Sequence, residues 1–152
     1  MIALGDFLSE ERVIDLRSRT KDAALYEIVE TLAGVSEVED REKLLAAVLD
    51  RERVVSTGIG LGVAVPHAKI PEVADFLLAY GRSREGIEFG SIDDRPVHHV
   101  VLIVGPPDRQ PRYLQFLASV TLTFKQPDLR RDLELAPGRQ DLYRILTTER
   151  FP

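Results

Sequence analysis

Apolar side chains recur at helical spacing in five stretches of the sequence. Thr20 and Asp40 precede the first two stretches and are candidate N-caps, because their side-chain oxygens can accept hydrogen bonds from the free N–H groups of a first helical turn. Pro111 and Pro127 suit the first turn of two later helices, where the missing N–H of proline is not needed. We therefore predict helices within residues 20–34, 40–53, 111–124, 127–137 and 140–146.

Short apolar runs rich in β-branched residues predict strands at residues 13–16, 63–65, 76–80 and 97–104. The run 97–104 is apolar at most positions, so we expect it to be the central strand of the sheet, buried on both faces. Gly86 and residues 90–94 are predicted turns. Helices both precede and follow the strands. The sequence therefore predicts an α/β fold, one domain over residues 1–152 whose mixed sheet is flanked by helices on both faces. The order of the strands does not follow from the sequence.

Composition narrows the classes of function. The chain has 152 residues, no cysteine and a net charge of −5, so disulfides and thiolate chemistry are excluded and a reducing compartment is favoured. No basic face with interleaved aromatic residues is present, which argues against nucleic-acid binding. The first residues lack a secretory signal, and no apolar run approaches the roughly 20 residues that span a membrane. We expect a cytoplasmic protein without membrane insertion.

The glycine-rich segment 56–69 carries the candidate chemistry. Pro66 stiffens the chain directly before His67, whose side chain is largely neutral and nucleophilic near pH 7. Lys69 shares a face with His67 in an extended chain and can attract an anion such as phosphate. Ser56 and Thr57 have hydroxyl groups that can donate to the same anion, although hydroxyls at strand ends are common. The glycines fit no nucleotide-binding pattern, and a tight hairpin is their simplest structural interpretation.

Other polar residues have plainer interpretations. Arg51 lies near the end of the second helix, where a cation is favourable with the helix dipole, but a guanidinium near His67 would also bind phosphate well. His98 and His99 are neighbours in a predicted strand and point to opposite faces, so they cannot form a metal pair on one face. We expect structural roles for both, and no metal site.

Residues 51–69, with the sequence RERVVSTGIGLGVAVPHAK, resemble the active-site segment of the enzyme IIA (EIIA) family of the phosphotransferase system, of the fructose, mannitol and nitrogen-regulatory type. The resemblance continues in residues 87–89, 92–97 and 141–146, and covers nearly the whole chain. A chain of this length with the segment IDDRPV looks most like the nitrogen-regulatory subgroup. The family implies a mixed sheet flanked by helices and a histidine phosphocarrier without a cofactor. By this match His67 is the phosphoacceptor and Arg51 steadies the phosphoryl group.

One position departs from the family pattern. Sugar-transporting members carry a second histidine at the start of the helix after the central strand, in the context His-Leu-x-x-Leu-Ala. Here that segment reads YLQFLA, and Tyr113 takes the place of the histidine. A tyrosine hydroxyl can donate a hydrogen bond to an imidazole or a phosphate, but it cannot carry a proton charge near neutral pH.

Three hypotheses follow. The first is a phosphocarrier that accepts a phosphoryl group on His67 from an HPr-type protein and acts in nitrogen or metabolic regulation. The second is a regulatory module that binds a kinase or a transporter, with weak or no phosphotransfer. The third is a degenerate domain that is not phosphorylated, for which Tyr113 is the only indication. The resemblance also leaves open a sugar-transport EIIA of the fructose or mannitol type, which would pass the phosphoryl group to an EIIB-type acceptor. The sequence does not name the sugar, the regulated partner or the oligomeric state.

Overall fold

The computed structural model describes residues 2–148. Six strands are formed by residues Val13–Asp15 (β1), Gly58–Gly60 (β2), Val63–Ala64 (β3), His67–Lys69 (β4), Leu77–Ile87 (β5) and Val97–Gly105 (β6). Five α-helices are formed by Lys21–Glu30 (α1), Arg41–Val54 (α2), Gln110–Phe124 (α3), Pro127–Leu135 (α4) and Arg139–Thr148 (α5). Two short 3-10 turns, Leu4–Phe7 and Glu10–Arg12, precede β1.

The sheet is mixed and has β6 at its centre. One path runs in the order β1, β5, β6, β3, β2, and β4 also pairs with β6 beyond the end of β3. Strand β6 is antiparallel to β5 but parallel to β3 and β4. The prediction of a central strand at residues 97–104 is confirmed. Because β3 and β4 follow one another along the same edge of β6, Val65 and Pro66 lie between two short strands that the sheet holds in place.

Hydrophobic residues of β6 alternate between two cores. Val101 and Ile103 pack on one face of the sheet with α3, α4 and α5. Val100, Leu102 and Val104 pack on the opposite face with α1 and α2. Both faces of the sheet are therefore covered by helices, and the predicted α/β fold is confirmed.

The predicted helix starts are also found. Thr20 Oγ1 accepts a hydrogen bond from the backbone N–H of Ala23 at 3.4 Å, and Asp40 Oδ1 accepts one from Lys43 at 3.1 Å. Pro111 and Pro127 lie in the first turns of α3 and α4. These caps replace intrahelical bonds that the first turn of a helix cannot make.

The glycine-rich segment is a hairpin. Strands β2 and β3 are antiparallel, and Gly58 pairs with Ala64 and Gly60 with Val63. The turn carries positive φ angles at Gly60 (92°), Leu61 (61°) and Gly62 (77°). Glycine adopts this region without steric cost, whereas Leu61 does not. The backbone N–H of Leu61 donates to Asp93 Oδ2 at 3.0 Å, which helps to hold the turn.

Strand β5 is longer than predicted, and Gly86 lies inside it instead of in a separate turn. The register with β6 shifts between Arg82 and Ile87, and Gly86 has φ of 91° there, as in a β-bulge. The polar sequence of this half hides the strand. Arg82 is almost fully buried, and its charge is compensated by Asp15 at 2.7 and 2.9 Å.

Candidate functional site

His67 opens strand β4 and lies half-buried at a cleft of about 550 Å³. The cleft is lined by Ala47, Arg51, His67, Ala68, Lys69, Gln110 and Leu117. These residues come from α2, β4 and α3. The sheet thus presents the imidazole between the ends of two helices, and it is open to a partner from one side.

Hydrogen bonds to both ring nitrogens of His67 define its tautomer. Nδ1 lies 3.1 Å from the carbonyl oxygen of Val65, and Nε2 accepts a hydrogen bond from Arg51 Nε at 3.1 Å. An arginine guanidinium only donates, and a carbonyl oxygen only accepts. Nδ1 therefore carries the proton and Nε2 keeps its lone pair. The nucleophilic nitrogen is the one that faces Arg51.

Burial lowers the pKa of His67 below its ordinary value of 6.5, and the positive charges of Arg51 and Lys69 act in the same direction. The hydrogen bond to Val65 and the charge of Glu52 oppose this effect. Because the pKa lies below 6.5, the neutral form of the ring predominates at pH 7. A neutral imidazole with a free lone pair is the form that can attack an electrophile.

Arg51 is anchored as well as aimed at His67. It lies in the last turn of α2, and its Nη1 donates to the carbonyl oxygen of Val55 at 3.1 Å. The guanidinium therefore bridges the end of the helix and the imidazole. Sequence reasoning named both residues, and the structure brings them together.

A second cation lines the same cleft. Lys69 Nζ donates to Gln110 Oε1 at 2.6 Å and lies 5.4 Å from the centre of the Tyr113 ring. Sequence reasoning identified Lys69 but missed Gln110, which is 41 residues away in the chain. No local pattern marks a glutamine at the first position of a helix as a partner of a lysine in a strand.

Tyr113 lies beneath the cleft. Its ring centre is 5.6 Å from that of His67, but its hydroxyl donates to the carbonyl oxygen of Ala68 in β4. Tyr113 is buried, and burial raises the pKa of its hydroxyl. The single hydroxyl proton is therefore used by the backbone, and Tyr113 does not donate to the imidazole of His67.

Ser56 and Thr57 are turned away from the cleft. Ser56 Oγ donates to the carbonyl oxygen of Phe89 at 2.7 Å. Thr57 gives its N–H to Glu52 Oε1 at 2.8 Å and its hydroxyl to Glu52 Oε2 at 2.7 Å. These donors are committed to partners within the fold, which leaves no hydroxyl proton of either residue for an anion at His67.

The other two histidines lie away from the cleft. His99 is fully buried and contacts Tyr80 and Glu134, whereas His98 lies 2.8 Å from the carbonyl oxygen of Ser83. Within residues 2–148, no three His, Cys, Asp or Glu side chains are placed to hold a metal ion. Over the same residues, no helix is long and apolar enough to cross a membrane.

Comparison with known proteins assigns this arrangement to a family. Residues 6–149 match the family described as "Phosphoenolpyruvate-dependent sugar phosphotransferase system, EIIA 2". The chain belongs to the EIIA type 2 family. The resemblance of residues 51–69 to that family, drawn from the sequence, is confirmed.

Relatives of two subgroups resemble this EIIA chain. It is 34% identical to the "Nitrogen regulatory protein" of Escherichia coli K12, over 88% of this chain and 83% of that protein. It is 32% identical to the "PTS system fructose-specific EIIA component" of Haloferax volcanii, over 84% of this chain and 82% of that protein. The crystal structure of the nitrogen regulatory protein IIA-Ntr from Neisseria meningitidis superposes with a TM-score of 0.85 at 26% identity, over 94% of this chain and 98% of the other.

Proposed function

We propose that this EIIA chain is a phosphocarrier that accepts a phosphoryl group on His67 Nε2 from a phosphohistidine of an HPr-type protein. The observation that carries the proposal is the pair of hydrogen bonds to the ring, which put the proton on Nδ1 and leave the Nε2 lone pair beside the guanidinium of Arg51. The phosphoacceptor is then neutral, fixed in orientation and next to a cation.

The transfer needs one movement at the site. The lone pair that accepts from Arg51 Nε cannot at the same time form a bond to phosphorus, so the guanidinium has to leave Nε2 before attack. Nε2 then forms the new P–N bond while the P–N bond of the donor breaks and its electron pair returns to the donor ring. Positive charge gained by the ring of His67 lies at Nδ1–H, beside the carbonyl oxygen of Val65.

Positioning and charge supply most of the catalysis in such a step. Once displaced from the ring, the guanidinium of Arg51 can bind two oxygens of the phosphoryl group as a fork. Lys69 supplies a second cation in the same cleft. The exchange of one phosphohistidine for another requires little driving force, and it needs neither a metal ion nor an organic cofactor.

Tyr113 stands where sugar-transporting family members have a second histidine, and its side chain is buried. Because its hydroxyl donates to Ala68, we propose that Tyr113 supports β4 from below and takes no proton during transfer. Lys69, above the same ring, is then the group that faces the phosphoryl oxygens where other family members have a histidine.

We propose nitrogen or metabolic regulation as the biological role, in the cytoplasm, through a kinase or transporter that responds to phosphorylation of His67. The structural likeness to a nitrogen regulatory IIA supports this assignment. A sugar-transport role is the alternative, since the similarity to a fructose-specific EIIA is of nearly the same extent. In that case the next partner is an EIIB-type acceptor protein.

The direct test is incubation with phosphoenolpyruvate, enzyme I and an HPr-type protein, followed by intact mass spectrometry. We expect one acid-labile phosphoryl group on the wild type and none on His67→Ala. His98→Gln is the matched control, since it removes a histidine that lies outside the cleft, and it should be phosphorylated like the wild type. A wild-type chain that takes up no phosphoryl group refutes the phosphocarrier and leaves the binding-module hypothesis.

Acceptor proteins then separate the two biological roles. The phosphorylated chain is mixed with an isolated EIIB-type protein of a fructose or mannitol system. If the chain serves sugar transport, the EIIB protein should remove the phosphoryl label within the dead time of mixing. For a regulatory role, we expect the label to persist under the same conditions. Loss of the label to the EIIB protein at a rate comparable to transfer from HPr contradicts the regulatory assignment.

A further inference from the structure

A buried carboxylate lies behind the hairpin of β2 and β3, outside the cleft. Glu52 is only 5% exposed and belongs to α2, one residue after Arg51. Its Oε1 accepts from the N–H of Thr57 at 2.8 Å and from Lys21 Nζ at 2.9 Å. Its Oε2 accepts from the hydroxyl of Thr57 at 2.7 Å. A buried carboxylate is costly unless it is paired and hydrogen-bonded, and here three donors satisfy it.

The hydrogen bonds continue from Thr57 to the phosphoacceptor. The carbonyl oxygen of Thr57 accepts from the N–H of Val65 at 3.0 Å. The carbonyl oxygen of Val65 in turn lies 3.1 Å from Nδ1 of His67. Three successive contacts, each with its donor on the side nearer the imidazole, therefore connect the carboxylate of Glu52 to the ring.

The contacts around Glu52 also connect the hairpin of β2 and β3 to helix α1 and to Phe89. Lys21, in the first turn of α1, also donates to the carbonyl oxygen of Phe89 at 3.2 Å. Ser56 Oγ donates to that same oxygen at 2.7 Å. The segment 56–57 is thus fixed to α1, to α2 and to the chain after β5. A segment held at so many points has little freedom to shift the carbonyl of Val65 relative to His67.

Adjacent residues of α2 therefore reach both nitrogens of one ring. Arg51 contacts Nε2 directly, and Glu52 reaches Nδ1 through Thr57 and Val65. The donor at Nε2 and the acceptor at Nδ1 both favour the Nδ1–H form, and loss of the acceptor would weaken that preference. Only the Nδ1–H form leaves Nε2 free to attack.

We propose that Glu52 is a positioning residue for His67, which holds Thr57 and through it the Val65 carbonyl that, together with Arg51, favours the Nδ1–H tautomer. The role in phosphotransfer rests on the proposed function, whereas the effect on the tautomer does not. Lys21 completes the arrangement, because its ammonium pairs with the buried carboxylate at 2.9 Å.

The test is the tautomer of His67 in the unphosphorylated protein, read from two-bond nitrogen–proton correlation spectra of the imidazole. Glu52→Gln keeps the shape of the side chain and removes its charge. We expect the Nε2–H form of His67 to rise by about threefold or more, as for the loss of one ordinary hydrogen bond. We also expect the pKa of His67 to fall further, because the charge of Glu52 raises it in the wild type.

Two controls separate this effect from general damage. Asp50→Asn removes an exposed carboxylate of the same helix, which pairs only with Arg53 in the described structure, and should leave the tautomer unchanged. Thr57→Ser retains the N–H and the hydroxyl that bind Glu52 and should also behave as the wild type. Thr57→Val loses the hydroxyl alone and should move the tautomer part of the way. Thr57→Val also decides the matter if Glu52→Gln does not fold.

A folded Glu52→Gln chain with the wild-type tautomer and titration of His67 overturns the proposal. If the wild type accepts no phosphoryl group but the tautomer responds to Glu52→Gln, the phosphocarrier fails and the positioning role stands. With an active wild type, the variant should lower the maximal rate of transfer from the HPr-type protein at least threefold while the KM for that protein stays unchanged. A change in KM alone would point to a docking effect and would also contradict the proposal.

Discussion

His99 provides a test of how burial sets the stability of this fold with pH. The residue is fully buried in β6. Its Nε2 lies 3.2 Å from Glu134 Oε2 and its Nδ1 lies 2.8 Å from the hydroxyl of Tyr80. The carboxylate accepts, so Nε2 carries the proton and Nδ1 accepts from Tyr80. Both nitrogens of the neutral ring are satisfied, and a second proton on Nδ1 would force the hydroxyl of Tyr80 to accept where it now donates.

Burial lowers the pKa of His99 from 6.5 to about 4, and the hydrogen bond and charge of Glu134 only partly oppose it. As the pH falls through 6.5, the unfolded chain takes up a proton that the folded chain refuses, so stability is lost between pH 6.5 and about 4. Between pH 8 and pH 5 the loss is about 2 kcal/mol, and it approaches about 3 kcal/mol below pH 4.

The perturbation is His99→Gln, which cannot titrate but retains an amide to donate to Glu134. Urea unfolding followed by circular dichroism at pH 8, 6.5 and 5 gives the free energy of unfolding of both proteins. The variant should be less stable than the wild type at pH 8, because the amide does not fill the buried space of the imidazole ring. That difference should shrink by about 2 kcal/mol at pH 5. A difference that stays constant over this range would show that His99 does not resist protonation in the folded chain, and would refute the reasoning.

Three further predictions concern the site and its support. The lowered pKa of His67 should centre the acid-side loss of phosphoryl acceptance below pH 6.5. Arg51→Met should raise the pKa of His67 in an NMR titration, because the charge of Arg51 helps to lower it. An unchanged pKa would exclude the contribution of that charge. Tyr113→Phe should lower the free energy of unfolding in urea by about 1–2 kcal/mol, because the Ala68 carbonyl loses its donor. His67 should still be phosphorylated in this variant. Abolished phosphorylation in a folded variant would mean that the hydroxyl acts in the reaction. Gly105→Ala should lower the free energy of unfolding by about 1–3 kcal/mol, because a Cβ there would lie 2.4 Å from the buried ring of Phe76. The control is Gly34→Ala, whose Cβ meets no atom within 4 Å, and it should leave stability nearly unchanged.

The features that could be predicted from the sequence are those with a local cause. Thr20 and Asp40 were identifiable as caps because each side chain accepts from the backbone N–H only three residues later in the chain. The central strand was identifiable because an element that is buried on both faces has to be apolar on both. His67 was identifiable because it follows Pro66 in a glycine-rich segment, and Arg51 because residues 51–69 resemble the EIIA family.

The features that were missed depend on distant partners. The polar half of β5 is a strand because Arg82 is neutralised by Asp15, 67 residues earlier, and no alternation of apolar residues marks it. Gln110 joins the site only because the end of β6 brings α3 back over β4. The hydrogen-bond partners of Ser56 and Thr57 also depend on the fold and could not be predicted from the sequence. Their hydroxyls suggested an anion site, and only the folded chain shows Glu52 and Phe89 as their acceptors.

Those two cases together explain why this site has few donors of its own. In the proposed transfer, the hairpin hydroxyls fix the backbone, so the charge of the incoming phosphoryl group is left to Arg51 and Lys69, which line the cleft. Both cations are already engaged in the resting state, Arg51 with His67 and Val55 and Lys69 with Gln110. Their neutral partners bind them less strongly than a phosphoryl dianion would. We expect these contacts to keep both cations oriented and to give way to a ligand of opposite charge.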